Sequence, residues 1–177
     1  MTKPSKLRIL AIDTSASPGF AVLEWVPGKT PKLVYADALK TDSSKPDSER
    51  YAAIEAMTSL IIFKHGPFDV VCREHFTKGG SKRSTQLVFG AWSAVDSALG
   101  RFGYHIAKEN EFTPSTVKKA ATGKGKAEKA EVEAGVKRRL GLAEDYAFSN
   151  NAGGDASDAV AVGLAWIDSN KTKLEAL

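Results

Sequence analysis

Leu7-Arg8-Ile9-Leu10-Ala11-Ile12-Asp13 is an apolar run that reads as a strand and ends on a carboxylate. A second run, Phe68-Asp69-Val70-Val71-Cys72-Arg73-Glu74, ends the same way. A carboxylate at the C-terminal end of a strand projects from the edge of a sheet, where ligands of open α/β sheets bind. Between the two runs, Gly19 to Val26 alternates loosely and Lys32 to Ala38 follows a turn at Pro27-Gly28, so residues 7–38 read as three strands. Helix and strand alternate from there on. The pattern predicts a mixed α/β fold: a five-stranded sheet, three antiparallel strands then parallel ones, with helices on both faces.

The polar stretch 40–48 reads as a loop. The helix after it takes Asp47 or Ser48 as N-cap, carries Ile54, Met57 and Ile61, and stops at Gly66. A glycine- and lysine-rich loop follows Glu74, then a helix over 84–102. At about 100° per residue, Val88, Trp92, Val95, Leu99 and Phe102 form one apolar stripe, and Leu87, Ala91, Ala94 and Ala98 a second beside it. An apolar arc that wide, roughly 160°, fits either a fully internal helix or a dimer seam. The last strand is expected at Tyr104 to Lys108, and a short helix at Thr113 to Lys118. Another helix runs over Lys126 to Leu140, and a final amphipathic helix follows the loop 143–154.

At 177 residues and 42% hydrophobic, the chain suits one well-buried core, and a single domain over 1–177 is expected. The polar start, Met1 to Lys6, does not read as a secretory signal, and no stretch approaches the roughly 20 apolar residues of a membrane span. Cys72, the single cysteine, reads as a buried small hydrophobe. The three histidines lack zinc-ligand spacing, and a reducing cytoplasm is the expected setting.

Asp155 and Asp158 open the last helix three residues apart, so both lie on one face within one turn. Either alone fits an N-terminal acid favoured by the helix dipole. The pair stands out because the rest of that helix face is alanine and valine, which draws Asp158 toward the core. Converging carboxylates repel one another unless a divalent cation lies between them, an arrangement suited to metal-ion catalysis on phosphate esters. The net charge is +4, yet Lys118 to Arg139 alone holds eight Lys/Arg against three Glu. Lys78, Lys82 and Arg83 form a second basic cluster after Glu74. Basic clusters beside metal carboxylates are what a polyanion-cleaving enzyme needs.

Three segments resemble the RuvC-type Holliday junction resolvases. They are Ile9-Leu10-Ala11-Ile12-Asp13-Thr14-Ser15 with Gly19 beyond it, the string from Val117 to Lys129, and Asp155-Ala156-Ser157-Asp158-Ala159-Val160-Ala161, which matches that family's D-x-x-D-A-x-A segment. The order is right and the span covers nearly the whole chain. The resemblance implies an RNase H-like fold. It implies Asp13, Glu74, Asp155 and Asp158 as four ligands of two Mg²⁺ ions, with Mn²⁺ able to substitute, and Lys118 and Lys129 as basic residues near the scissile phosphate. It further implies a DNA contact from Phe76 and a homodimer making paired nicks in a four-way junction, with helix 84–102 as its seam, while the two basic clusters offer Lys78, Lys82, Arg83, Lys119, Lys124 and Lys126 as further DNA contacts. Phe76 follows Glu74 by one residue fewer than the family's bacterial aromatic, and the loop 78–83 also departs from the bacterial pattern, which points to a bacteriophage or other mobile version.

Three other readings fit fewer residues. An actin-like or sugar-kinase ATPase needs two copies of this fold, which 177 residues cannot hold. An RNase H-like nuclease acting on flaps, forks or RNA–DNA hybrids shares the metal site. A non-catalytic branched-DNA-binding protein would keep clustered buried charges for no purpose.

Overall fold

The computed structural model describes residues 6–76 and 80–176. Five strands, β1 (Leu7–Asp13), β2 (Gly19–Trp25), β3 (Lys32–Ala38), β4 (Val70–Glu74) and β5 (Glu111–Phe112), form one sheet in the order β3-β2-β1-β4-β5. β1 pairs antiparallel with β2, and β2 with β3; β1–β4 and β4–β5 are parallel. This is the mixed sheet that the sequence pattern predicts.

The twofold alternation of strand side chains sorts the core into two layers. Leu10, Ile12, Phe20, Val22 and Val71 face α1 (Asp47–His65) and α2 (Lys82–Arg101), meeting Ile54, Ile61, Val95 and Leu99. Ile9, Ala11, Ala21, Leu23 and Cys72 face the other way, toward α3 (Pro114–Thr122), α4 (Lys129–Leu140) and α5 (Asp155–Glu175). By the same alternation Asp13 and Glu74 point to the α5 side.

Apart from the half-buried Asp158, α5 is buried from Ala156 through Ile167, as a helix wedged between a sheet and other helices must be. Its small residues allow the approach. A Cβ on Gly163 would stand 2.4 Å from Leu23 Cδ1 and 3.3 Å from Ala11 Cβ, so the helix axis lies tight on β1 and β2.

Several boundaries differ from expectation. The last strand is not at 104–108. That segment is followed by a 3₁₀ turn, Lys108–Asn110, and pairing waits for Glu111–Phe112. Along β4 the amide of Asn110 donates to the Val71 carbonyl at 3.3 Å, and Trp166 Nε1 donates to Asn110 Oδ1 at 3.0 Å. A side chain thus takes the edge acceptor that a strand would have used. α1 starts after Pro46, with Asp47 as its first residue rather than its cap. α4 starts at Lys129, three residues later than expected, on a capping box of Glu128 and Glu131.

The wide apolar face of α2 is largely explained within the chain. Ala91, Ala94, Val95, Ala98 and Leu99 are buried, and Gly90 lies against the Tyr51 ring, so the helix that approaches the alanine side is α1. Phe89 and Phe102 remain exposed. Cys72 is wholly buried, as a small hydrophobe would be. Among the described residues, no helix is long and apolar enough to cross a membrane.

Candidate active site

The register of β1 against β2 ends at the pair Asp13–Gly19. Beyond it, the first turn of α5 lies over the strand ends and delivers Asp155 and Asp158. Carboxylate oxygens of Asp13, Asp155 and Asp158 all lie within 4.8 Å of one another. Two segments about 140 residues apart in sequence therefore meet as a triad of half-buried acids. Gly154 caps α5 in the left-handed conformation. Asn151 fixes the turn: its Oδ1 accepts from Ser157 N at 3.0 Å, and its amide donates to Glu133 of α4 at 2.9 Å.

Glu74 stands beside this triad rather than in it, close enough for its charge to act on Asp13 and to feel that of Asp158. Burial raises the Asp13 carboxyl well above the usual range, and the charges of Glu74, Asp158 and Asp155 add to the rise while Lys129 opposes it. Burial and then Asp158 push Glu74 up to about 7, against the pull of Lys118 and Lys129. Asp158 is raised too, by burial, although Lys129 and Lys118 counteract it. Without a cation, burial and mutual repulsion disfavour the ionised forms of Asp13, Glu74 and Asp158. That is the signature of a site built for positive charge.

Lys129, the first residue of α4, supplies some of that charge. Its ammonium lies 3.5 Å from both Asp155 Oδ1 and Asp158 Oδ2 and donates to the Gly153 carbonyl. Lys118, on α3, is half-buried and acts electrostatically on Glu74 and Asp158. An all-oxygen donor set of clustered carboxylates fits a hard divalent cation, which Asp13, Asp155 and Asp158 could hold.

The remaining predicted residues are more scattered. Phe76 is half-buried, its ring 5.6 Å from that of Phe89 on α2. Lys82, Lys119 and Lys126 are exposed. Lys124 is exposed and 3.5 Å from Glu131. Arg83 is engaged by Asp47 through two hydrogen bonds of 2.5 and 2.6 Å. Lys78 lies outside the described residues. A cleft of about 290 Å³ lined by Ser17, Lys40, Asn150 and Asp155 adjoins the triad. A larger cleft, about 680 Å³ along α4 and residues 141–144, contains none of the four carboxylates.

Sequence reasoning missed the surroundings of Glu74. Arg73 is buried, donates to Glu111 and Asp96, and stacks on Trp92; His75 also meets Glu111. The hydrogen-bond partners lie 23 to 38 residues apart, so no local pattern signals them.

Residues 9–166 match the family model described as crossover junction endodeoxyribonuclease RuvC. The chain is 30% identical over 179 residues to the crossover junction endodeoxyribonuclease RuvC of Salinispora arenicola (strain CNS-205), covering 96% of this chain and 94% of that one. It is 34% identical over 160 residues to the protein of the same description from Campylobacter jejuni subsp. jejuni serotype O:23/36 (strain 81-176), covering 89% and 92%. Among solved structures it is similar to T. thermophilus RuvC in complex with Holliday junction substrate, with a TM-score of 0.79 and 25% identity over 95% of this chain and 97% of that one.

Proposed function

The chain belongs to the RuvC family of crossover junction endodeoxyribonucleases, and on that premise we propose that Asp13, Glu74, Asp155 and Asp158 are its metal ligands and that it resolves four-way DNA junctions by paired, symmetric nicks. The protein is a metal-dependent endonuclease of branched DNA. The convergence of Asp13, Asp155 and Asp158 within 4.8 Å carries the site assignment. We read residues 1–177 as one nuclease domain.

Magnesium, two ions per site, suits these hard oxygen ligands, with Mn²⁺ as a substitute. When bound, the cations supply an activated water and stabilisation of the leaving 3′-oxygen, so the products carry 5′-phosphate and 3′-hydroxyl ends. The protein's part is placement and charge. The carboxylates hold their oxygens at the sheet edge on the α5 side. Lys129 bridges Asp155 and Asp158 and is positioned to offset charge that develops on the phosphate during attack. Lys118 keeps Glu74 and Asp158 closer to their ionised forms. Exposed Lys82, Lys119, Lys124 and Lys126 provide backbone contacts to the polyanion.

Two symmetric nicks in one junction require two sites at fixed separation, hence an isologous homodimer. Two exposed aromatics, Phe89 of α2 and Phe102 at its C-cap, at 54% and 43% exposure, support a seam there. Sedimentation analysis of the free protein tests the dimer. Labelled four-way, three-way and linear DNA incubated with the protein in Mg²⁺ tests the reaction. Paired cuts in the four-way junction are expected; equal cutting of linear duplex would leave a nuclease of broader specificity.

A further inference from the structure

Glu74 has little backbone support. The β1–β4 ladder ends at Arg73, and β5 pairs with only Arg73 and Glu74. One more backbone bond, from His75 N to the Phe112 carbonyl at 2.7 Å, closes the strand end. A ligand on so short a strand end needs some other means of holding its direction.

Strand alternation sends the two neighbours of Glu74, Arg73 and His75, to the opposite face of the sheet. There a single carboxylate grips both. Glu111 Oε1 accepts from Arg73 Nε at 2.9 Å and Nη2 at 2.6 Å, and Glu111 Oε2 lies 3.0 Å from His75 Nδ1. Arg73 is anchored further by Asp96 Oδ1 at 2.8 Å and by the Trp92 ring, 3.8 Å from its guanidinium carbon. A buried ion pair adds little net stability over apolar residues of the same volume, and its attested use is to specify geometry.

We propose that Glu111 is a positioning residue for the metal site: by clasping Arg73 and His75 from behind the sheet, it fixes the aim of Glu74 and so sets the affinity for the divalent cation. Glu111 touches neither cation nor DNA in this scheme. The proposal rests on the reading of Glu74 as a metal ligand.

The test uses the full-length protein and E111Q, which keeps the size of the side chain but removes its charge and one acceptor. Groups hydrogen-bonded directly to a metal ligand are worth roughly 10- to 100-fold in metal affinity, and Glu111, one step further out, belongs at the low end of that range. The Mg²⁺ concentration for half-maximal junction cleavage should therefore rise about tenfold, and Mn²⁺ binding without DNA, followed by calorimetry, should weaken by a similar factor. Junction affinity in EDTA should stay within about twofold of wild type, and excess Mg²⁺ should restore most of the turnover. Should E111Q fail to fold, H75A removes one of the two grips, keeps the Arg73–Glu111 pair, and should shift the Mg²⁺ midpoint in the same direction by less. An E111Q protein with a lower melting midpoint but wild-type Mg²⁺ and Mn²⁺ midpoints overturns the proposal, because Glu111 then only supports the fold. So does H75A with a wild-type cation midpoint, where H75A carries the test. A wild-type protein that neither binds Mn²⁺ nor cleaves junctions overturns it together with its premise.

Discussion

Gly19 lies so close to the start of α5 that a Cβ on it would stand 1.8 Å from the Asp155 carbonyl oxygen and 3.1 Å from the Ala156 amide nitrogen. Gly19 is also the cross-strand partner of Asp13. The absence of a side chain at this one position is what lets the helix carrying Asp155 and Asp158 settle on the strand carrying Asp13.

Gly19→Ala should therefore damage fold and site together. The contact is with backbone, which cannot rotate aside, so the helix start must move. Overpacking of this kind costs about 3 kcal/mol, which for a chain of this size lowers the melting midpoint by roughly 6–12 °C. Cleavage and the Mg²⁺-induced rise in melting temperature should both fall sharply. A Gly19→Ala protein that melts within a degree of wild type would show that the helix does not sit where the triad requires.

Asp13→Asn should abolish cleavage yet keep junction binding, because on the proposed assignment affinity for DNA comes from the lysines and arginines while the carboxylate serves the metal. Lys129→Ala should slow cleavage by about 10²-fold, the scale set by loss of one preorganised transition-state contact, while affinity changes far less. Gel-shift titrations at several salt concentrations, run beside single-turnover cleavage, separate the two roles. If Lys129→Ala lowers only affinity, with a shallower salt slope, Lys129 is a phosphate anchor.

The sheet was legible because its strands are written locally. Leu7 to Asp13 and Lys32 to Ala38 are found at the residues where the apolar runs and turn signals place them. Asp13, Asp155 and Asp158 were legible as misfits, acids at the ends of apolar elements. β5 was not, because the apolar Ile106 marks core contact rather than ladder pairing, and Asn110 does the pairing with a side chain. The Glu111 clasp was not either. Its value depends on Arg73 and Glu111 being register neighbours across two parallel strands, a fact of topology that no window of sequence contains. The same holds for Gly19, whose meaning depends on a helix that begins 136 residues later.

The stabilisation by Mg²⁺ should grow with pH. In the metal-free protein the folded-state pKa values of Asp13, Glu74 and Asp158 are raised, Glu74 from 4.5 to about 7. An acid raised on folding contributes stability that is fully present below its unfolded pKa and lost as pH climbs through the folded value. For Glu74 that window runs from about 4.5 to about 7. His65 opposes the trend, since burial and the charges of Arg8 and Lys64 lower its pKa, but it does so equally with and without metal. The difference between Mg²⁺ and EDTA therefore isolates the carboxylates. Cation binding needs them ionised, so the gain in melting midpoint from millimolar Mg²⁺ should be small at pH 5 and several degrees larger at pH 8. A gain independent of pH over that range would separate the raised carboxylates from the metal.

Asp158→Asn carries the sharpest prediction, because it should make the metal-free protein more stable. Asp158 is attracted to Lys129 at 3.5 Å, which alone predicts that its loss destabilises. Yet its pKa in the fold is raised, so burial and its acidic neighbours outweigh Lys129, and the ionised form is disfavoured on balance. Asparagine keeps the shape and most of the hydrogen-bonding capacity while removing the disfavoured charge. It also relieves Asp13 and Glu74, both of which are raised in part by Asp158. Near neutral pH in EDTA the mutant should melt higher than wild type by about 2–4 °C, equivalent to roughly 1 kcal/mol for a chain of this size. In Mg²⁺ the order should close or invert, since wild type gains by linkage and the mutant, one ligand short, gains less. Melting curves of both proteins across a Mg²⁺ titration decide it. A metal-free mutant that melts lower, with the wild-type response to Mg²⁺, would mean that Lys129 dominates the local field and that the four acids are not the cation site.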